Sequence, residues 1–117
     1  MKTQFQIFTA FIFFLFLSIS ASGQNKIQTD TLTVSGVCEM CQKRIENAAF
    51  VKGVKSASWS ADNQLLTVIY KGKKTDLDEI SKAVAKAGHD NSRAKAPDEA
   101  YSELPDCCAY RDGVKVH

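Results

Sequence analysis

The chain has 117 residues, with 15 lysines and arginines against 13 aspartates and glutamates, a formal net charge of +2, and four cysteines. That length supports one small domain with a modest core, and the absence of a basic stripe interleaved with aromatics argues against nucleic-acid binding. No carboxylate pair accompanies a nucleophile, no Ser/His/Asp order appears and no glycine-rich phosphate loop is present, so catalysis has no support.

The chain opens as a targeting segment. Lys2 gives a positive start, and Ile7 to Ile19 is apolar except for Thr9 and Ser18. Ala21-Ser22-Gly23 then places small residues ahead of Gln24, so residues 1–23 read as a cleaved secretory signal peptide. The apolar stretch is shorter than the ~20 residues of a spanning helix. A periplasmic or secreted protein is expected, with no stable membrane anchor after cleavage. Removing residues 1–23 of the 117 leaves 94, divided into a domain over 24–95 and a C-terminal extension over 96–117.

After a leader over Gln24 to Gln28, alternating polar and apolar residues predict a strand over Thr29 to Ser35, with Leu32 and Val34 inward. Cys38-Glu39-Met40-Cys41 follows, and Cys41, Ile45, Ala48 and Ala49 then share one face of a helix over Glu39 to Phe50. Gly53 ends that helix. Val54 to Ser60 predicts a second strand, Ala61 to Gln64 a hairpin turn, and Leu65 to Tyr70 a third strand with Leu66, Val68 and Tyr70 on one face. Thr75 with Asp78 resembles a capping box. It opens a helix that carries Leu77, Ile80, Val84 and Ala87 and stops at Gly88. His89 to Lys95 is the candidate for a short fourth, edge strand. Pro97 suits a first helical turn, with Tyr101 and Leu104 placed to pack back, and Pro105 breaks the segment before Cys107-Cys108. The fold class predicted is α+β: a ferredoxin-like βαββαβ sandwich, with a four-stranded antiparallel sheet and two helices on one face.

The cysteines come as two close pairs, Cys38/Cys41 and Cys107/Cys108. Each pair closes only a tiny loop, so neither looks like a staple across a fold, although pairing between the two remains open. Cys38 and Cys41 lie on a strand-to-helix turn, where free backbone N–H groups and the helix dipole favour thiolate. Soft thiolates select Cu(I), Hg(II) or Zn(II). Two thiolates suit the low coordination of Cu(I) and Hg(II), whereas zinc normally takes four ligands. Cu(I) is therefore the expected ion. A Cys-x-x-Cys at such a turn also serves thiol–disulfide exchange, but only about 14 residues separate the cleavage point from Cys38, too few for the βαβ portion that precedes the motif in thioredoxin-like folds. Passive scavenging by all four thiols is a further alternative. Met40 is a thioether better suited to packing the loop than to binding, and His117 is expected to be disordered.

Residues Ser35 to Asp90 resemble the heavy-metal-associated domain, the module of copper chaperones and of the metal-binding domains of P-type ATPases. The resemblance is carried by Cys-x-x-Cys after the first strand, Lys43-Arg44-Ile45-Glu46-Asn47-Ala48, Gly53-Val54-Lys55-Ser56 and Ala85-Lys86-Ala87-Gly88-His89. With the signal peptide, the layout is also similar to that of periplasmic mercury-binding proteins. The sequence departs from the family at Ser35-Gly36-Val37-Cys38, where the usual methionine is missing. The resemblance implies a non-enzymatic carrier whose partner is a thiol-bearing metal donor or acceptor, such as a metal-transporting ATPase or another such domain. It also places His89 near the metal loop, where it would be an auxiliary ligand or tune the loop's charge, with an exposed loop histidine as the alternative. Cys107 and Cys108 lie outside the basic module; a tail folding back would bring one of the two thiols to the site as an auxiliary ligand, and the alternatives are a second Cu(I)-binding point or a disulfide.

Overall fold

The computed structural model describes residues 26–113; the segment read as a signal peptide, and His117, lie outside the described residues. The elements run β1 (Ile27–Thr33), α1 (Glu39–Ala49), β2 (Val54–Ser60), β3 (Leu65–Lys71), α2 (Leu77–Lys86) and α3 (Asp98–Ser102), followed by two 3-10 turns at Asp106–Cys108 and Tyr110–Asp112. Among the described residues no helix is long and apolar enough to cross a membrane.

The sheet has three antiparallel strands in the order β1-β3-β2. Leu32 lies opposite Leu66, and Leu66 opposite Trp59. Side chains alternate across a strand, so Leu66, Val68 and Tyr70 of β3 are buried on one face while Leu65, Thr67 and Ile69 are only half-buried. The buried face meets Ile45 and Ala49 of α1 and Ile80 and Val84 of α2 in one core. Each large apolar side chain fully buried there contributes roughly 1.5–3 kcal/mol. Trp59 closes the end of the core nearest the cysteine loop. It is 2% exposed, and its Nε1–H donates to the Val34 carbonyl at 3.0 Å.

Among the described residues the four-stranded sheet is not observed. The segment expected as the fourth strand makes only an isolated bridge, Val34 with Asn91, held by Ser35 N–H to Asp90 O at 2.8 Å and Ser92 N–H to Thr33 O at 2.9 Å. The reason is local chemistry. The Asn91 side chain accepts from the N–H groups of Arg93 and Ala94, Asp90 accepts from Ala96 N–H, and these bonds curl the chain away from a ladder. The start of α2 also differs by one residue from the expected Thr75/Asp78 box. Asp76 is the N-cap and accepts from Glu79 N–H at 2.8 Å, while the Thr75 hydroxyl donates to the Glu79 carboxylate at 3.1 Å. Aspartate is the stronger cap, and the Glu79 carboxylate in turn accepts from the residue before it, Thr75.

Candidate metal centre

Cys38 is the N-cap residue of α1, in extended backbone, and Cys41 lies in the first helical turn. Their Sγ atoms are 3.6 Å apart. Cys41 is fully buried and Cys38 half-buried, so the pair has one inner and one outer sulfur. The loop leading to Cys38 is fixed from two sides. Gly36 N–H donates to the Gln64 side-chain oxygen at 3.0 Å, and Val34 N–H donates to the Gln64 carbonyl at 2.8 Å. Gln64 does this from a left-handed backbone, φ 59, at the end of the β2–β3 turn. Gly36 is packed against the Trp59 ring, and an added Cβ would lie 2.9 Å from it.

The tail reaches this loop. Cys108 is fully buried and forms a disulfide with Cys41; their Cα atoms are 6.0 Å apart, ordinary for a bridge. Cys38 Sγ lies 3.7 Å from Cys108 Sγ and 3.4 Å from Cys107 Sγ. Cys38, Cys41 and Cys108 thus form a cluster whose ligand atoms all lie within 4.8 Å of one another. Cys107 stands at its outer edge, half-buried, with its thiol 3.6 Å from the Met40 thioether. Its hydrogen bond with Cys38 is the chief cause that holds the Cys107 thiol above its ordinary value, with desolvation second. Met40, expected to pack the loop, is instead 54% exposed.

His89 is fully buried but lies outside that sulfur cluster. Its Nδ1–H donates to the Ser35 carbonyl at 2.8 Å, and its ring stacks on Tyr110 at 5.7 Å between centroids. A carbonyl can only accept, so the neutral ring carries its proton on Nδ1. Nε2 is buried without a partner among the described residues. Burial, first, and Arg44 push the His89 pKa below its usual value, against the Ser35 bond and Asp90, which push it up.

The residues that seat the tail carry no motif of their own. The Tyr110 hydroxyl donates to Gly88 O at 2.7 Å and accepts from Asp90 N–H at 2.8 Å. Arg111 holds Asp90 through two bonds of 2.7 and 3.0 Å, donates to Ala96 O at 2.9 Å and pairs with Asp98. It also lies over the Tyr101 ring, 4.5 Å from its centroid. Arg111 is what chiefly holds the Asp90 carboxyl below the usual range. A bidentate arginine–carboxylate pair that also satisfies backbone is among the stronger polar anchors. The expected packing back of Tyr101 and Leu104 signals a seated tail, and Leu104 does pack against the core, but nothing in the sequence pattern singles out Tyr110 and Arg111 as its polar anchors.

The heavy-metal-associated domain profile matches residues 31–90. Among solved structures, a CopZ metallochaperone is 27% identical with a TM-score of 0.53, covering 55% of this chain and 98% of its own. Oxidised MerP from Ralstonia metallidurans CH34 is 30% identical with a TM-score of 0.54, covering 57% and 96%. A copper form of a CopA variant from Bacillus subtilis is 26% identical with a TM-score of 0.50, covering 58% and 92%. No curated protein matches the chain.

Proposed function

Because the chain belongs to the heavy-metal-associated domain family, we propose that it is an exported carrier of a soft metal ion. Cu(I) is its first cargo, with Hg(II) or Zn(II) as alternatives, and the ion is bound by Cys38 and Cys41. The observation that carries this reading is the pair of cysteine sulfurs at the start of α1, 3.6 Å apart, which becomes a dithiol when the Cys41–Cys108 bridge is reduced. The d10 ions Cu(I) and Hg(II) accept so few ligands. The similar structures include a metallochaperone, which favours metal carriage, and a copper-bearing CopA variant, which favours copper.

Cys38 faces outward, so an incoming thiolate can add to the ion before either resident thiolate leaves. Transfer then proceeds by ligand exchange, without release of a free ion. The partner is a thiol-bearing donor or acceptor, such as a metal-transporting ATPase or another heavy-metal-associated domain. Export rests on the signal-peptide reading of residues 1–23. The test is Cu(I) titration of the reduced chain against a chromophoric chelator. One ion per chain is expected, lost in Cys38→Ser/Cys41→Ser; unchanged affinity in that variant refutes the reading.

Thiol–disulfide exchange is a second reading, favoured by the Cys41–Cys108 disulfide with the free Cys38 thiol 3.7 Å from Cys108 Sγ. Catalytic turnover of a disulfide substrate would support it over metal carriage.

A further inference from the structure

We propose that the C-terminal extension supplies a third thiolate, from Cys108, so that the reduced chain holds its soft ion on Cys38, Cys41 and Cys108 and keeps it until the tail lets go. This rests on the metal-carrying reading above.

Three observations carry it. The sulfurs of Cys38, Cys41 and Cys108 converge within 4.8 Å. Taking a metal–thiolate bond of about 2.3 Å, ligand sulfurs stand ~4.6 Å apart across a linear ion but ~4.0 Å apart around a trigonal one. With the Cys41–Cys108 bridge closed, the Cys38 sulfur already lies 3.6 Å from Cys41 and 3.7 Å from Cys108, so two of the three edges are near the trigonal spacing and the third opens when the bridge is reduced. Finally, the tail is anchored independently of the sulfurs, by Tyr110 on Gly88 and Asp90 and by Arg111 on Asp90 and Ala96. Breaking the disulfide therefore leaves Cys108 beside the loop.

The disulfide and the three-thiolate site are alternative states of the same atoms. An external dithiol reductant breaks the Cys41–Cys108 bond, delivering two electrons and two protons and becoming a disulfide itself. The ion then displaces the thiol protons as it binds. Cys107, at the outer edge, stays free. A two-thiolate carrier leaves the third position open to a partner's thiol; here Cys108 fills it. Handover then requires the tail to yield that position, which slows release and favours ions that accept three thiolates.

The test loads the reduced full chain with one equivalent of Cd(II), and in parallel Hg(II), under anaerobic conditions. Thiolate-to-cadmium charge-transfer absorbance per bound ion counts the thiolates. Wild type and Cys107→Ser should be equal, whereas Cys108→Ser should lose one ligand's share, bind more weakly and release the ion faster to a competing dithiol. X-ray absorption of the wild-type Hg(II) complex should report three sulfurs; this reading needs no variant and stands if Cys108→Ser fails to fold. Two sulfurs in wild type, or Cys108→Ser identical to wild type, overturns the proposal and leaves the Cys38/Cys41 carrier standing. Loss of a ligand in Cys107→Ser as well overturns the three-ligand assignment. Retention of wild-type binding by Cys38→Ser/Cys41→Ser removes the carrier reading itself.

Discussion

Substituting Gly88 by alanine tests how the fold couples to the tail. Gly88 ends α2 with φ +110, and an added Cβ would lie 2.9 Å from the Ala100 carbonyl oxygen and 2.9 Å from Leu104 Cδ2. The left-handed backbone costs an alanine roughly 1–2 kcal/mol. Stiffening the unfolded chain returns about 0.4–1 kcal/mol of that. Overlap with a backbone carbonyl cannot be relieved by a rotamer, and crowding of this kind costs roughly 1–3 kcal/mol. The expected net loss is about 1–5 kcal/mol with the tail seated, and the overlap is relieved by lifting α3 together with the cysteine-bearing tail. Gly53→Ala is the control. Its φ is +100 and its close contacts are Lys74 and Thr75, away from the tail. The assay pairs urea unfolding, read from the emission of the single tryptophan, Trp59, with alkylation of Cys107 followed by mass spectrometry. Both variants should unfold earlier than wild type, and only Gly88→Ala should speed Cys107 alkylation. Unfolding of Gly88→Ala within about 0.5 kcal/mol of wild type, or equal Cys107 rates in the two variants, would refute the reasoning.

Reducing the Cys41–Cys108 bridge, which spans 67 residues of sequence, should lower stability by about 4 kcal/mol on the loop-entropy account; equal urea midpoints with and without a dithiol would contradict this. Trp59→Phe removes the donor to the Val34 carbonyl and part of a buried ring, so a loss of about 2–4 kcal/mol is expected by circular dichroism. His89 is held below its ordinary value of 6.5 by burial. The unfolded chain therefore takes up its proton first as pH falls, and the associated stability is present above about pH 6.5 and lost as pH drops through the depressed folded value. His89→Gln, which keeps a donor for Ser35 but cannot charge, should flatten unfolding midpoints over that window; an unchanged slope would show that His89 is not the group responsible. Asp90 acts at lower pH: Arg111 depresses its pKa, so the tail's anchor should persist above about pH 4 and weaken below it, read as faster Cys107 alkylation after correction for the thiol's own titration.

What the sequence determined is what depends on near neighbours. The period-two runs of β2 and β3 and the helical spacing of Cys41, Ile45 and Ala49 arise from side chains a few residues apart, and they place Cys38 and Cys41 on the strand-to-helix turn. The same locality misjudges His89 to Lys95, because the side-chain bonds of Asp90 and Asn91 decide that backbone and residue type alone does not report where those bonds go. Only the tertiary structure decided that Cys108, 67 residues beyond Cys41, lands on the same cluster, and that His89 turns to Ser35 and Tyr110 instead. Periodicity carries no term for such meetings. They depend on where the chain returns after α2, and that is set by Tyr110 and Arg111 closing on Gly88 and Asp90, contacts between residues about twenty apart that exist only once the domain is folded.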